Sequence, residues 1–278
     1  MSNYYHKSPV LETPYKGREF EFLDPNEETK YKKSLNKFGE EWYYAKNKLI
    51  YTNNNYGYRT KEFSKVKSNF LLTLGCSNTY GYGLLEQDTW SYKVANKLNL
   101  DLVNLGIPAT GPEFVFYNSV LFSEYCKERN IKPSVVCIQW SFDTRSGYWV
   151  EEDYIPEYRT FNNLHIPSNY DDSYYGEKTE LEWYFNCFTE FEVKRINNKI
   201  FYPLAVNRIW EGLGAKVLNF KIDAPGIANT FNNNELPYNL MNIDPGGISR
   251  DLARDEAHPG ILANNYIEKV LTNKIKNG

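Results

Sequence analysis

The sequence predicts an α/β protein: a three-layer α/β/α arrangement around a mostly parallel sheet. Two observations predict it. From residue 69 onward, short apolar β-rich runs alternate with segments of helical periodicity. The runs are near-continuous in apolar residues, as strands buried on both faces tend to be. Strand, helix, strand, helix in repetition implies right-handed crossovers and helices on both faces of the sheet.

Phe70-Leu71-Leu72-Thr73-Leu74, ending in Gly75, is the first strand. Trp90, Val94, Ala95 and Leu98 follow at helical spacing. Leu102-Val103-Asn104-Leu105 is a second strand, closed by Gly106 and Pro108. Pro112 opens a helix carrying Val115, Leu121, Phe122 and Tyr125. Val135-Val136-Cys137-Ile138 is the third strand, preceded by Pro133. Residues 144–176 hold turn residues and aromatics and read as a long excursion. Helical patterns resume over Leu181–Val193 and Ile200–Leu213. Val217-Leu218-Asn219-Phe220 is the fourth strand, residues 222–257 read as loop, and Ala263–Ile275 is a closing helix. A parallel sheet of about five strands is expected.

Residues 1–65 are polar, charged and aromatic without a sustained period, and are expected to form an arm packed on a main domain of residues 66–278. The run from Glu27 to Lys33 reads as a solvated helix or loop. Asn53-Asn54-Asn55-Tyr56-Gly57-Tyr58-Arg59 reads as a turn, because Asn and Gly tolerate positive φ.

The 278 residues carry 32 Lys and Arg against 35 Asp and Glu, a net charge of -3 that gives no basic face for a nucleic-acid partner. No apolar run approaches the roughly 18 residues of a membrane span. Met1 to Phe20 lacks an apolar signal core, so a soluble protein, cytoplasmic by default, is expected. Cys76, Cys126, Cys137 and Cys187 form no C-x-x-C pair, which gives no zinc or redox motif. Cys126 and Cys137 read as small core residues. The 24 tyrosines suggest a sugar-stacking surface, but Asn, Lys and Tyr are abundant together and compositional bias explains them.

In a parallel sheet the site lies beyond the carboxyl ends of the strands. Chemistry-capable residues do cluster there. Gly75-Cys76-Ser77-Asn78-Thr79-Tyr80-Gly81 follows the first strand, Ala109-Thr110-Gly111 the second, and Ser141 and Asp143 the third. Asp255-Glu256-Ala257-His258-Pro259 precedes the last helix. A serine hydroxyl needs an adjacent base to attack at neutral pH, and histidine is the usual one. An Asp three residues before the His can reach its other ring nitrogen within one loop. Of the three histidines, His6 lies in the N-terminal segment and His165 in the excursion; only His258 has a nearby carboxylate and a strand-end address. A satisfied loop histidine is the alternative reading of His258. Ser77, alone, reads as a turn serine capping the segment that follows.

These blocks resemble those of the SGNH (GDSL-like) hydrolases. The family's first block reads G-D-S-x-T-x-G, and here it is G-C-S-N-T-Y-G; the last reads D-x-x-H-P, and here it is Asp255 to Pro259. The order and separation match, and the resemblance covers residues 66–278. Asn55-Tyr56-Gly57-Tyr58-Arg59 also looks like a segment ahead of the first block in some relatives. The resemblance implies a flavodoxin-like sheet, Ser77 as nucleophile, His258 as base and Asp255 as its orienter. Cys76 stands where relatives carry Asp, and the implied strand-to-turn geometry points Ser77, not Cys76, into the site.

The family's oxyanion donors are the serine backbone N–H, a glycine N–H in the second block and an asparagine side chain in the third. A gapless reading puts Ala109 at the glycine position, with Gly111 as the shifted choice. The third block, G-x-N-D in relatives, is Trp140-Ser141-Phe142-Asp143, without the asparagine. Ser141 or Asn78 are the replacement donors, and Ser141 reads equally as an ordinary strand-end hydroxyl. Asp143-Thr144-Arg145 reads as a structural ion pair, and Asp244-Pro245-Gly246-Gly247 as a turn. No G-x-S-x-G elbow is present.

The resemblance implies hydrolysis of a small acyl ester, an acylated glycan among the candidates, with no cofactor and no metal, and with no nucleic-acid or membrane partner; a homo-oligomer stays open. An acyltransferase of the same fold and a non-catalytic carbohydrate-binding module are the alternatives.

Overall fold

The structure, a computed structural model, describes residues 8–141, 145–152, 155–162, 193, 196–222, 236, 238–244 and 251–277. A two-stranded ribbon pairs β1 (Glu19–Phe20) with β2 (Tyr51–Thr52) antiparallel. Between them lie helices α1 (Pro25–Phe38) and α2 (Tyr43–Lys46). The main sheet then begins with β3 (Phe70–Leu74), followed by α3 (Ser77–Tyr80), α4 (Trp90–Leu98) and β4 (Leu102–Asn104). Next come α5 (Pro112–Glu128), β5 (Pro133–Gln139) and an antiparallel hairpin of β6 (Arg145–Glu152) and β7 (Ile155–Asn162). Helix α6 (Tyr202–Gly212), β8 (Lys216–Ile222), β9 (Leu240–Ile243) and α7 (Ile261–Asn277) complete the described elements.

The five-stranded sheet has the order β4-β3-β5-β8-β9, and every neighbouring pair is parallel. Numbered by appearance within the sheet, the order is 2-1-3-4-5, the flavodoxin-like order. Alternate side chains separate the two faces. Phe70, Leu72, Leu74, Val136 and Ile138 pack with Phe114 and Phe122 of α5 and Val206 and Trp210 of α6. Leu71, Val135, Cys137, Leu218 and Phe220 pack with Trp90 and Val94 of α4 and Ile267 and Leu271 of α7. The sheet is therefore covered on both sides, and its central strands have apolar residues on both, as their sequence requires.

Val10, Leu11, Leu49, Tyr51, Tyr58 and Phe63 belong to the first of these clusters, so the segment before residue 66 shares the core of the sheet. Helix α1 starts where Pro25 pre-sets the backbone and Asp24 Oδ1 accepts the Glu27 N–H at 2.9 Å. The Glu27–Lys33 run is helical, but it is not wholly solvated: Glu27 is 1% exposed. It is buried because a partner from the other end of the chain meets it, as described below.

Residues 222–257, read as loop, contain the fifth strand. Leu240–Ile243 pairs with β8 from Asn219 to Ile222. A four-residue edge strand with one buried side chain, Ile243, carries no periodic signal strong enough to be recognised. The excursion after residue 144 holds the β6–β7 hairpin. The expected helix over 181–193 lies almost wholly outside the described residues, as do His6, His165 and Cys187. Among the described residues, no helix is long and apolar enough to cross a membrane.

Candidate active site

The Gly75–Gly81 block is placed by the end of β3. Gly75 must lack a side chain there: a Cβ would fall 2.3 Å from Thr79 Oγ1 and 2.8 Å from Gln139 O. Cys76 then occupies the N-cap position of α3 and Ser77 its first turn. Asn104, at the end of β4, ties the turn down: its Nδ2 donates to Thr79 O at 2.7 Å while its Oδ1 accepts the Gly106 N–H at 2.9 Å.

The second component is the loop between β9 and α7. Leu252 and Pro259 form an isolated antiparallel bridge, and the Ala253 N–H donates to His258 O at 2.9 Å. Residues 253–258 thus form a closed turn, with Glu256 in the left-handed region at φ 54°. This turn is pressed against the segment after α3. The Arg254 N–H donates to Gly83 O at 3.0 Å. A Cβ on Gly83 would lie 2.8 Å from Ala253 Cβ and 2.9 Å from Asp255 Oδ1, and its φ is 75°, so both space and backbone require glycine.

The two stretches, 181 residues apart in sequence, bring Ser77 Oγ to 2.8 Å from His258 Nε2. His258 Nδ1 lies 2.7 Å from Asp255 Oδ2. Asp255 Oδ1 accepts the backbone N–H groups of His258 at 3.1 Å and Ala257 at 3.4 Å. Burial pushes the Asp255 carboxyl up. The His258 ring's hydrogen bond and charge, and the two backbone N–H groups, outweigh it and hold the carboxyl below its ordinary 3.8. An ionised carboxylate only accepts, so Nδ1 carries the proton. In the neutral ring Nε2 then presents its lone pair to the Ser77 hydroxyl, which donates. The Asp255 side chain is 4% exposed and that of His258 is 25% exposed, so the carboxylate is sealed while one side of the imidazole is open.

The predicted oxyanion residues stand as follows. The Ser77 N–H lies in the first turn of α3, where helical donors have no intrahelical acceptor. Ala109 is exposed and sits at φ 66°, a left-handed conformation that favours glycine. Gly111 has an ordinary extended backbone, φ -97°, as the N-cap of α5. The position with glycine-like geometry is therefore Ala109. Ser141 is half-buried, one residue beyond Trp140 at the end of β5; Phe142 and Asp143 lie outside the described residues. Asn78 lines a hollow with Tyr82, Trp90, Ile222, His258 and Pro259. Its Oδ1 is buried and, among the described residues, has no hydrogen-bond partner.

Cys76 is turned to Gln139: it is 5% exposed and its thiol donates to Gln139 Oε1 at 3.4 Å, with Ser77 Oγ at 4.0 Å. Burial pushes the Cys126 and Cys137 thiols up to about 12, which makes them inert packing groups. Among the described residues, no group of three or more His, Cys, Asp or Glu could hold a metal ion.

Three further residues support the site: Tyr82 and Arg254, not singled out in the sequence, and Arg59, from a segment that was. Tyr82 stacks on the His258 ring, centroids 4.8 Å apart and planes 27° apart. Arg254, 1% exposed, pairs with Glu27 Oε1 at 2.8 Å. Arg59, from the Asn-Tyr-Gly-Tyr-Arg turn, donates to Gly81 O and Leu84 O, each at 2.9 Å, behind the turn that carries Ser77. Arg254 adjoins Asp255 in sequence, a signal that could have marked it; Tyr82 is one of 24 tyrosines and carried none.

No family model and no curated protein matches the chain. Among solved structures it is similar to an acetyl xylan esterase from the rumen bacterium Butyrivibrio proteoclasticus, at 12% identity and TM-score 0.44, over 76% of this chain and 64% of that one. It is also similar to a carbohydrate esterase family 2 enzyme with a carbohydrate-binding domain from Corynascus thermopiles (Myceliophthora fergusii), at 15% identity and TM-score 0.40, over 81% and 70%. A third, described as a lipolytic protein of the G-D-S-L family from Desulfitobacterium hafniense, matches at 12% identity and TM-score 0.33, over 74% and 99%. The chain thus spans less than two thirds of the length of the first of these, and what its site can do follows from the geometry above.

Proposed function

We propose that this site hydrolyses a small acyl ester through a serine-bound acyl intermediate, in the manner of the SGNH hydrolases that its two motifs resemble. The carrying observation is the chain of contacts from Ser77 Oγ through the His258 ring to Asp255, at 2.8 Å and 2.7 Å.

Ser77 Oγ attacks the ester carbonyl while His258 Nε2 takes its proton. Asp255 holds the tautomer and stabilises the imidazolium. The negative oxygen that develops is met by the N–H groups of Ser77 and Ala109, with Ser141 or Asn78 as a third donor; each such donor contributes roughly 3 kcal/mol to the transition state. His258 returns the proton to the departing alcohol. Water then attacks the acyl-serine, His258 again takes the proton, and the acid leaves as Ser77 regains its hydrogen. Acetyl on a carbohydrate is the substrate class the resemblance implies. Acyl transfer to a sugar hydroxyl would use the same residues, with the acceptor replacing water.

The test is release of p-nitrophenol from acetyl and butyryl esters, together with covalent labelling by a fluorophosphonate. The wild type is expected to do both and Ser77→Ala neither. Asp255→Asn should lower kcat by roughly 10⁴-fold, because an amide no longer enforces the productive tautomer. A wild type that neither turns over nor labels overturns the proposal. Product analysis with and without a sugar acceptor separates hydrolysis from transfer.

A further inference from the structure

Hydrogen bonds to Asp255 and to Ser77 hold the two nitrogens of His258. Both act at the edge of the ring, whose side chain is 25% exposed. Tyr82 packs against its face: the two rings stack with centroids 4.8 Å apart. Tyr82 is itself held, because its hydroxyl donates to Asp24 Oδ2 at 2.5 Å. Burial, and then this bond, raises the Tyr82 hydroxyl well above its ordinary value, so it stays a donor throughout the neutral range.

Asp24 is not a loose surface carboxylate. Its other oxygen caps α1 by accepting the Glu27 N–H at 2.9 Å. The same helix grips the base loop on both sides of Asp255. Glu27 pairs with Arg254 at 2.8 Å, and the Ser34 hydroxyl donates to Glu256 Oε1 at 2.5 Å. One helix of the N-terminal segment therefore holds the loop by two contacts and the ring by a third.

We propose that Tyr82 is a positioning residue for His258, and that Asp24 makes helix α1 the anchor of that position. The proposal rests on the catalytic reading of Ser77, Asp255 and His258, and it assigns the N-terminal segment a part in aligning the base.

The test uses the full chain with Tyr82→Phe, which keeps the ring and loses the anchor, Tyr82→Leu, which loses both, and Asp24→Asn, which can still cap α1. Lys33→Ala, an exposed change on the same helix, is the control. With p-nitrophenyl acetate, kcat should fall about 10- to 100-fold in Tyr82→Leu and only about threefold in Tyr82→Phe, with KM nearly constant, because misaiming the base affects the chemical step. Fluorophosphonate labelling should slow in the same order, with Lys33→Ala unchanged. Unchanged kcat in Tyr82→Leu, a loss confined to KM, or a Tyr82→Phe enzyme as slow as Tyr82→Leu overturns the proposal. Should Tyr82→Leu not fold, equal kcat in Tyr82→Phe, Asp24→Asn and wild type overturns it. Should the wild type itself prove inert, the catalytic reading fails separately. Crystal structures of wild type and Tyr82→Phe then decide: a His258 ring turned off Ser77 in the variant supports positioning, and an unmoved ring overturns it.

Discussion

Glu27 and Arg254, 227 residues apart, form an ion pair whose side chains are 0% and 2% exposed. The carboxylate is fully used: Oε1 also accepts the Tyr51 hydroxyl at 2.6 Å, and Oε2 accepts the Leu23 N–H at 2.9 Å. The guanidinium lies over Phe22 at 4.5 Å, within reach of the Tyr31 and Tyr51 rings, and donates to Glu21 O. A buried pair of this kind is strongly coupled: removing one member leaves the other charged and dry.

Arg254→Met and Glu27→Gln are each expected to destabilise the protein by about 3–5 kcal/mol, as loss of one partner of a buried pair does. The double substitution should cost less than the sum of the two. Urea unfolding of all four proteins checks this, and strict additivity would show that the pair is not coupled.

This pair also marks the boundary of what the sequence discloses. Strands β3, β5 and β8 are legible because burial on both faces demands continuous apolar runs, and the short β4 because Gly106 and Pro108 close its apolar run. Ser77, Asp255 and His258 stand out in the sequence because the two blocks that hold them resemble motifs of one family and follow in its order; Ser77 alone reads as a turn serine. Glu27 sits in a lysine- and glutamate-rich helix whose composition reads as solvated, and nothing local announces a cation 227 residues away. The Leu240–Ile243 strand escapes notice because an edge strand needs little apolar surface. Tyr82 is hidden by its abundance, and Ala109 shows its left-handed backbone only in three dimensions.

Asp255 predicts an acid-dependent stability. Its carboxyl is held below its ordinary value in the folded protein. Such a group contributes stability that is fully present above its unfolded pKa, about 4, and is lost as pH falls through the folded value. Asp255→Asn removes that contribution at every pH. The stability gap between wild type and variant should therefore be widest near neutrality and close as pH falls below about 4. Urea midpoints of both proteins across that range measure it, and a gap that widened in acid would reverse the assignment.

Ala109 carries a backbone conformation suited to glycine. At φ 66° its Cβ crowds the following carbonyl, a strain of roughly 1–2 kcal/mol. Glycine removes the strain but gives the unfolded chain more freedom, costing about 0.4–1 kcal/mol. Ala109→Gly should thus stabilise the protein by about 0.5–1 kcal/mol, read as a higher thermal midpoint. Because the N–H keeps its direction, fluorophosphonate labelling should be undiminished. Ala109→Val, whose branched side chain tolerates this region worst, should move the midpoint the other way.

Arg59 holds the back of the turn that carries Ser77. It is 3% exposed, lies over the Tyr51 ring at 4.9 Å, and donates to the carbonyls of Gly81 and Leu84; among the described residues its hydrogen-bond acceptors are all backbone carbonyls. Burial lowers the guanidinium's pKa, and the neighbouring Tyr80, Tyr51, Glu86 and Glu27 only partly oppose this. A buried cation satisfied by carbonyls is held by the fork geometry of its donors, which an ammonium lacks. Arg59→Met should strip Leu84 O of this donor and leave Gly81 O with the Leu84 N–H at 3.2 Å, and cost about 2–3 kcal/mol, at roughly 1–3 kcal/mol for each acceptor that loses a bond. Arg59→Lys should recover less than half of that, since one point donor cannot serve both carbonyls in their present places. Full rescue by lysine in urea unfolding would mean that charge alone, not the fork, secures the turn that presents Ser77.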